Sequence, residues 1–307
     1  MPAPQSVGMR PERSEYLPGA GHGMRLHVRH WDADPSIADP LRLVMLHGWM
    51  DVSASFQFVA DALGERFHVI APDLRGFGLS DWPVMQGGGD YGFHHYLADL
   101  DALLDRLSPA TPVNLIGHSL GGNIALHYAG VRPRRVRRLV TLEGYGLAAQ
   151  PAESAPDRLA NWLDQTRAAP PLRSYADLDA VAARLRANNP RLDARRAPWI
   201  ARHWARPAGG RWHLLADAAH RHRTPRPYRL DEVLAIWRRI EAPVLRVDAL
   251  ESNIVAHLAG GSSAAVFLQR FDVIPDCRVA SVADAGHMLH HDQPDLVARL
   301  LAAFCAN

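Results

Sequence analysis

Ser119 lies in the stretch Gly117-His118-Ser119-Leu120-Gly121-Gly122, between the apolar run Val113–Ile116 and the run Asn123–Ala129. The first run reads as a buried strand and the second as an amphipathic helix. A serine flanked by glycines at a strand-to-helix turn is the setting of a nucleophile elbow. The glycines remove Cβ atoms where strand and helix approach and tolerate unusual dihedrals. Such a turn projects the hydroxyl from the top of a sheet. The first N–H groups of the following helix lack intrahelical partners and can face an oxyanion. The chemistry would be nucleophilic attack on an acyl carbon. A glycine-rich turn with a bystander serine would look the same over six residues, so the surrounding elements must decide.

Those elements alternate. Ser14–Leu17 and Met24–Trp31 are β-prone and separated by Pro18-Gly19-Ala20-Gly21, which predicts a hairpin. Leu41–Leu46, His68–Ala71, Val136–Leu142, Val244–Val247 and Arg278–Val282 read as further strands, and Val52–Leu63, His94–Leu107, Ser262–Phe271 and Asp295–Phe304 as helices. A glycine-rich loop, Gly87–Asp90, precedes the His94–Leu107 helix, and residues 1–12 are Pro-rich and polar. Strand–helix alternation implies a mainly parallel sheet, in which active sites form at the carboxyl ends of strands. From about Tyr145 to Ile240 strand-like runs vanish. Helical runs at Asp157–Arg167, Asp177–Ala187 and Asp231–Arg239 and five of the eight tryptophans lie there. The reading is a core of residues 1–144 and 241–307 interrupted by an all-helical cap, residues 145–240.

Composition excludes several chemistries. The 307-residue chain has 34 basic residues, all arginine, which rules out Schiff-base lysines, a Ser–Lys dyad and a P-loop lysine. The cluster Arg132–Arg138 lacks interleaved aromatics, so it reads as a solvated connection and no nucleic-acid partner is expected. Two cysteines, no apolar leader and no run of 18 apolar residues lead to the expectation of a cytoplasmic protein with no disulfide framework and no membrane span.

Four motifs in order, His47-Gly48-Trp49, Asp73-Leu74-Arg75-Gly76-Phe77-Gly78-Leu79-Ser80-Asp81, Gly117–Gly122 and Ala285-Gly286-His287, make the sequence resemble the α/β-hydrolases. The insertion stands where that family carries caps, and parts of it are similar to a bacterial serine hydrolase-like group. The resemblance implies a triad with Ser119 as nucleophile and His287 as base. It implies an oxyanion hole from the backbone N–H groups of Leu120 and Trp49. The spacing of His287, His290 and His291 could suit a metal, but no carboxylate or cysteine cluster joins them, so neither metal nor cofactor is expected.

The acid is the open position. The family usually places it after the strand read at Val244–Val247, three residues past a glycine. Here Ala249 replaces the glycine and Ser252, which cannot ionise, occupies the acid's place. Glu143, at the end of Val136–Leu142, is ranked first, Glu251 second, and Asp248 or no acid after them. Asp73 and Asp81 are assigned to a structural turn. Trp49, His118, Tyr145 and Trp162 are expected against substrate. The expected activity is hydrolysis of carboxylic esters of small to medium apolar substrates through an acyl-enzyme, by a monomer or homodimer. Lactone, amide or C–C bond hydrolysis, a cofactor-free dioxygenase, and a non-catalytic receptor on the same fold are the alternatives.

Overall fold

The computed structural model describes residues 9–21, 23–83, 91–167, 171–222 and 224–306. The Gly87–Asp90 loop and the first eight of the Pro-rich residues 1–12 lie outside them. The strands β1 (Arg13–Pro18), β2 (Arg25–Trp31), β3 (Leu41–Leu46), β4 (Phe67–Pro72), β5 (Val113–His118) and β6 (Val136–Leu142) belong to one eight-stranded sheet. Three short strands, β7 (Ser174–Tyr175), β8 (Ala205–Ala208) and β9 (Arg211–Leu214), follow in the insertion, and β10 (Val244–Ala249) and β11 (Cys277–Val282) complete the large sheet. Its order is β1-β2-β4-β3-β5-β6-β10-β11. The β1–β2 and β2–β4 pairs are antiparallel and the rest parallel.

The period of two along each strand divides the core. Val44, Leu46 and Leu115 face one side, and Leu43, Met45 and Ile116 the other. The helices are α1 (Gln57–Leu63), α2 (Phe93–Leu107), α3 (Leu120–Val131), α4 (Ala155–Arg167), α5 (Leu178–Asn188), α6 (Ala197–Trp204), α7 (Leu230–Trp237), α8 (Ile254–Leu258), α9 (Ala264–Leu268), α10 (Leu289–Asp292) and α11 (Pro294–Ala306). Side chains of α2, α3 and α7 cover the first face, and those of α1 and α11 the second. Burial on both faces explains why β3, β5 and β6 read as continuous apolar runs.

The insertion is not all-helical. It holds α4 to α7, but also an antiparallel sheet of order β7-β9-β8. Gly209 and Gly210 join β8 to β9, with φ of 55° and 71°, the left-handed pair that a tight hairpin turn requires. Strands of two to four residues are too short for a period-two signal, and Pro207 in β8 argues against a strand in sequence. A third core packs Tyr175, Val181, Ile200 and Trp204 against Val52 and Ala54 from the loop after β3. No helix among the described residues is long and apolar enough to cross a membrane.

Candidate active site

The strand-to-helix turn is tight because the backbone closes on itself. A Cβ on Gly117 would lie 2.2 Å from the Gly121 carbonyl oxygen, and one on Gly121 would lie 2.2 Å from that of Leu46. Only glycine fits at either position. Ser119 takes φ 50°, sparsely populated for a residue with a Cβ. Met50, Glu143 and Asp284 are the other non-glycine residues with positive φ among those described, at 57°, 57° and 53°. They follow β3, β6 and β11, so all four strained residues stand at the carboxyl ends of parallel strands.

At that edge three side chains form a line. His287 Nε2 lies 3.0 Å from Ser119 Oγ, and His287 Nδ1 lies 3.3 Å from Glu143 Oε2. With Nδ1–H directed at the carboxylate, Nε2 is free to accept the hydroxyl proton. The other oxygen of Glu143 accepts from the Ala249 N–H at 2.8 Å and faces the Tyr145 hydroxyl at 2.6 Å. That hydroxyl is also 2.9 Å from Asp248 Oδ1, and Asp248 pairs with Arg246 at 3.0 Å. Burial, then the two carboxylates, pushes the Tyr145 phenol well above its ordinary value, so it stays a donor. The turn after β6 is fixed further by Arg270, which donates to the carbonyls of Tyr145 and Leu147, and by Asn123, which accepts from Gly146 N–H.

The remaining acid candidates lie elsewhere. Glu251 is exposed and pairs with Arg191 at 3.3 Å. Asp248 reaches the site only through Tyr145. Asp73 accepts from Ser53 N–H, Leu79 N–H and His27, and Asp81 pairs with Arg25, so both hold loops.

Two residues expected against substrate are corrected. His118 and Tyr145 are each only 1% exposed. His118 Nε2 donates to the His287 carbonyl at 2.7 Å, and Tyr145 serves Glu143. Both stand behind the reactive line, because β5 and the turn after β6 direct them inward. Trp49 is 54% exposed and its indole N–H donates to the His220 carbonyl at 3.3 Å. Trp162 is half-buried on α4, a helix with no buried residue. Of the other tryptophans of the insertion, Trp237 lies in the main core, while Trp199, Trp204 and Trp212 pack in the insertion's own core.

Leu120 is the first residue of α3, so its N–H has no intrahelical acceptor. A Cβ on Gly48 would lie 3.4 Å from Ser119 Cβ and 2.8 Å from His118 Nδ1. Glycine there lets the loop after β3 pass close to the nucleophile. His47 is buried, with Nδ1–H donating to the Gly48 carbonyl and Nε2 accepting from Leu74 N–H at 2.9 Å, and it ties the loops after β3 and β4 together.

The insertion is joined to these same loops. Tyr91 bonds Asp217, Trp204 donates to the Met50 carbonyl, and Asn189 donates to Asp292 at the end of α10, just after His287. His220 stacks on Phe77 with ring centres 3.7 Å apart and meets Tyr91 at 3.6 Å.

Comparison with known proteins agrees with this architecture. Residues 42–294 match the family described as alpha/beta hydrolase fold. The 2-(acetamidomethylene)succinate hydrolase of Mesorhizobium japonicum is 29% identical over 262 residues, 85% of this chain and 87% of that protein. A serine hydrolase-like protein of Danio rerio is 34% identical over 112 residues, 36% of this chain and 33% of its own. The thioesterase domain from the curacin biosynthetic pathway superposes with a TM-score of 0.81 at 24% identity, covering 95% of this chain and 99% of that one.

Proposed function

Since the chain belongs to the α/β-hydrolase fold family, and is a hydrolase by that membership, we propose that it is a serine hydrolase of carboxylic esters. The observation that carries this reading is the line Ser119–His287–Glu143, with 3.0 Å and 3.3 Å separations. His287 takes the Ser119 proton as Oγ attacks the acyl carbon, and Glu143 orients and stabilises the imidazolium. The tetrahedral oxyanion is received by the N–H groups of Leu120 and Trp49. The protonated His287 then donates to the leaving alcohol. A water deprotonated by the same histidine releases the acid and restores Ser119.

The substrate is small to medium and apolar. Trp49, Leu147 and Leu250 follow β3, β6 and β10 and are 54%, 46% and 63% exposed, so the edge that carries the reactive line also presents apolar surface. The segment 145–240 acts as the cap, through its bonds to the loops after β3 and β4 and to the end of α10, just after His287. An amide substrate uses the same three residues, and the Mesorhizobium relative is named for an acetamido compound.

Hydrolysis of p-nitrophenyl acetate and butyrate, together with fluorophosphonate labelling, tests the reading. Labelling at Ser119 and loss of both signals in Ser119→Ala are expected. An unlabelled Ser119 in folded protein would overturn it. Cleavage of the corresponding anilide with no ester turnover would favour the amide reading.

A further inference from the structure

His290 and His291 follow the reactive histidine, and the fold brings a carboxylate to them. Asp51, from the loop after β3, lies with Oδ2 3.5 Å from His290 Nε2. One donor atom from each of Asp51, His290 and His291 lies within 4.8 Å of the others. The three residues are 4%, 0% and 2% exposed. We propose that they form a buried site for a divalent transition-metal ion, zinc in the first instance.

The argument is one of unmet valence. Among the described residues, His290 Nδ1 and His291 Nε2 are buried without a hydrogen-bond partner, and Asp51 Oδ2 and His290 Nε2 have only each other, at 3.5 Å. Buried polar atoms are nearly always partnered, and a cluster of orphans calls for an ion or water. Asp51 is held by its other oxygen, which accepts the Ser55 hydroxyl, so Oδ2 stays directed toward the imidazoles. The backbone is held too: Arg196 donates to the His291 carbonyl at 3.1 Å, and Asp292 accepts from Gly286 N–H at 2.9 Å. Two imidazoles and one carboxylate are a donor set that suits zinc, whereas calcium and magnesium prefer oxygen alone. A tetrahedral ion would have one further position for water.

A second His/Asp group, His30, Asp32 and His68, makes the contrast. There the atoms are already engaged, His30 Nε2 by Glu15 Oε1 at 2.7 Å. His30 Nδ1 and His68 Nε2 are 3.1 Å apart, His68 Nε2 is 3.2 Å from Asp32, and Arg13 grips both Asp32 oxygens at 3.1 Å. The guanidinium on Asp32 opposes a cation there. The buried group also bears on the reactive line. The His290 ring centre is 4.3 Å from that of His118, which holds the His287 carbonyl.

The test is expression of the full chain in zinc-supplemented medium, so that the ion is present as the chain folds, followed by dialysis and metal analysis by mass spectrometry. Wild type and His68→Asn should each retain about one zinc per chain, and His290→Gln and Asp51→Asn close to none. Wild type expressed with cobalt instead should show the intense visible absorption of a four-coordinate nitrogen–oxygen site, a readout that needs no variant to fold. Metal-free wild type would mean that water fills the site and would overturn the proposal. So would zinc that is lost in His68→Asn and kept in His290→Gln.

Discussion

His287 Nδ1 meets the Glu143 carboxylate at 3.3 Å across 144 positions of sequence. Glu143 is 2% exposed, so its charge is shielded from solvent and can act on the imidazole. The rival Glu251 is exposed and paired with Arg191, where water screens it. Glu143→Gln should lower kcat on p-nitrophenyl acetate by about 10²–10⁴, as expected when a triad acid is neutralised and the histidine tautomer is no longer enforced. Glu251→Gln should stay within about twofold, since a surface ion pair contributes little. Equal losses in the two variants would assign the acid wrongly.

Tyr145 offers one hydroxyl proton to two carboxylates, Glu143 at 2.6 Å and Asp248 at 2.9 Å. Only one can accept it at a time, and Arg246 compensates Asp248 when Glu143 does. Tyr145→Phe leaves Glu143 Oε1 with the Ala249 N–H alone. The variant should lose about 1.5–3 kcal/mol of stability, the range for a hydrogen bond to a charged group. Because the carboxylate would turn more freely, kcat should fall about tenfold with KM nearly unchanged, which follows if the lost interaction acts in the transition state. A KM effect alone would instead place Tyr145 against substrate.

What the sequence disclosed was local. Gly117–Gly122 carries its own geometry, since Gly117 and Gly121 are each forced by a backbone contact within a few residues or one strand away. The parallel sheet was legible because β3, β5 and β6 are buried on both faces and therefore read as apolar runs. Glu143 could be ranked because it closes a strand adjacent to β5. The residues that sequence missed act at a distance. Tyr145 and His118 read as pocket residues because their types suit one, yet the side-chain direction that buries them is set by packing. Asp51 joins His290 and His291 only after the loop after β3 folds over the His287 loop. The insertion's β7–β9 sheet was hidden by strands too short to show a period.

His220 provides a pH test of the contact between insertion and core. Burial pushes its imidazole down to about 3, from an ordinary value near 6.5. The folded state therefore binds fewer protons than the unfolded chain between those pH values, and stability falls as pH drops through that window. At pH 5, 1.5 units below the ordinary value, the penalty is about 2 kcal/mol at 1.36 kcal/mol per unit. Because His220 stacks on Phe77 and Tyr91, an aromatic substitute retains the contact. His220→Phe should thus lose less stability than wild type between pH 7 and 5, by about 2 kcal/mol in urea unfolding. Parallel pH profiles for the two proteins would rule this out.

Gly121 tests the elbow itself. Its missing Cβ would sit 2.2 Å from the Leu46 oxygen and 2.7 Å from that of His47, both backbone atoms at the end of β3. Neither can yield without moving the strand that carries the Trp49 loop. Gly121→Ala should therefore cost about 3 kcal/mol or more, the upper part of the overpacking range. Even the folded fraction should turn over ester slowly, since the Ser119 turn and the Trp49 N–H would be displaced together. Gly286→Ala is the control, because its Cβ would meet nothing nearer than Arg191 Nη1 at 3.6 Å. It should be no less stable than wild type and up to about 1 kcal/mol more stable, since a Cβ that meets no clash only narrows the unfolded ensemble. Denaturant midpoints of the three proteins decide the matter, and a Gly121→Ala midpoint equal to wild type would mean that the elbow is looser than these contacts require.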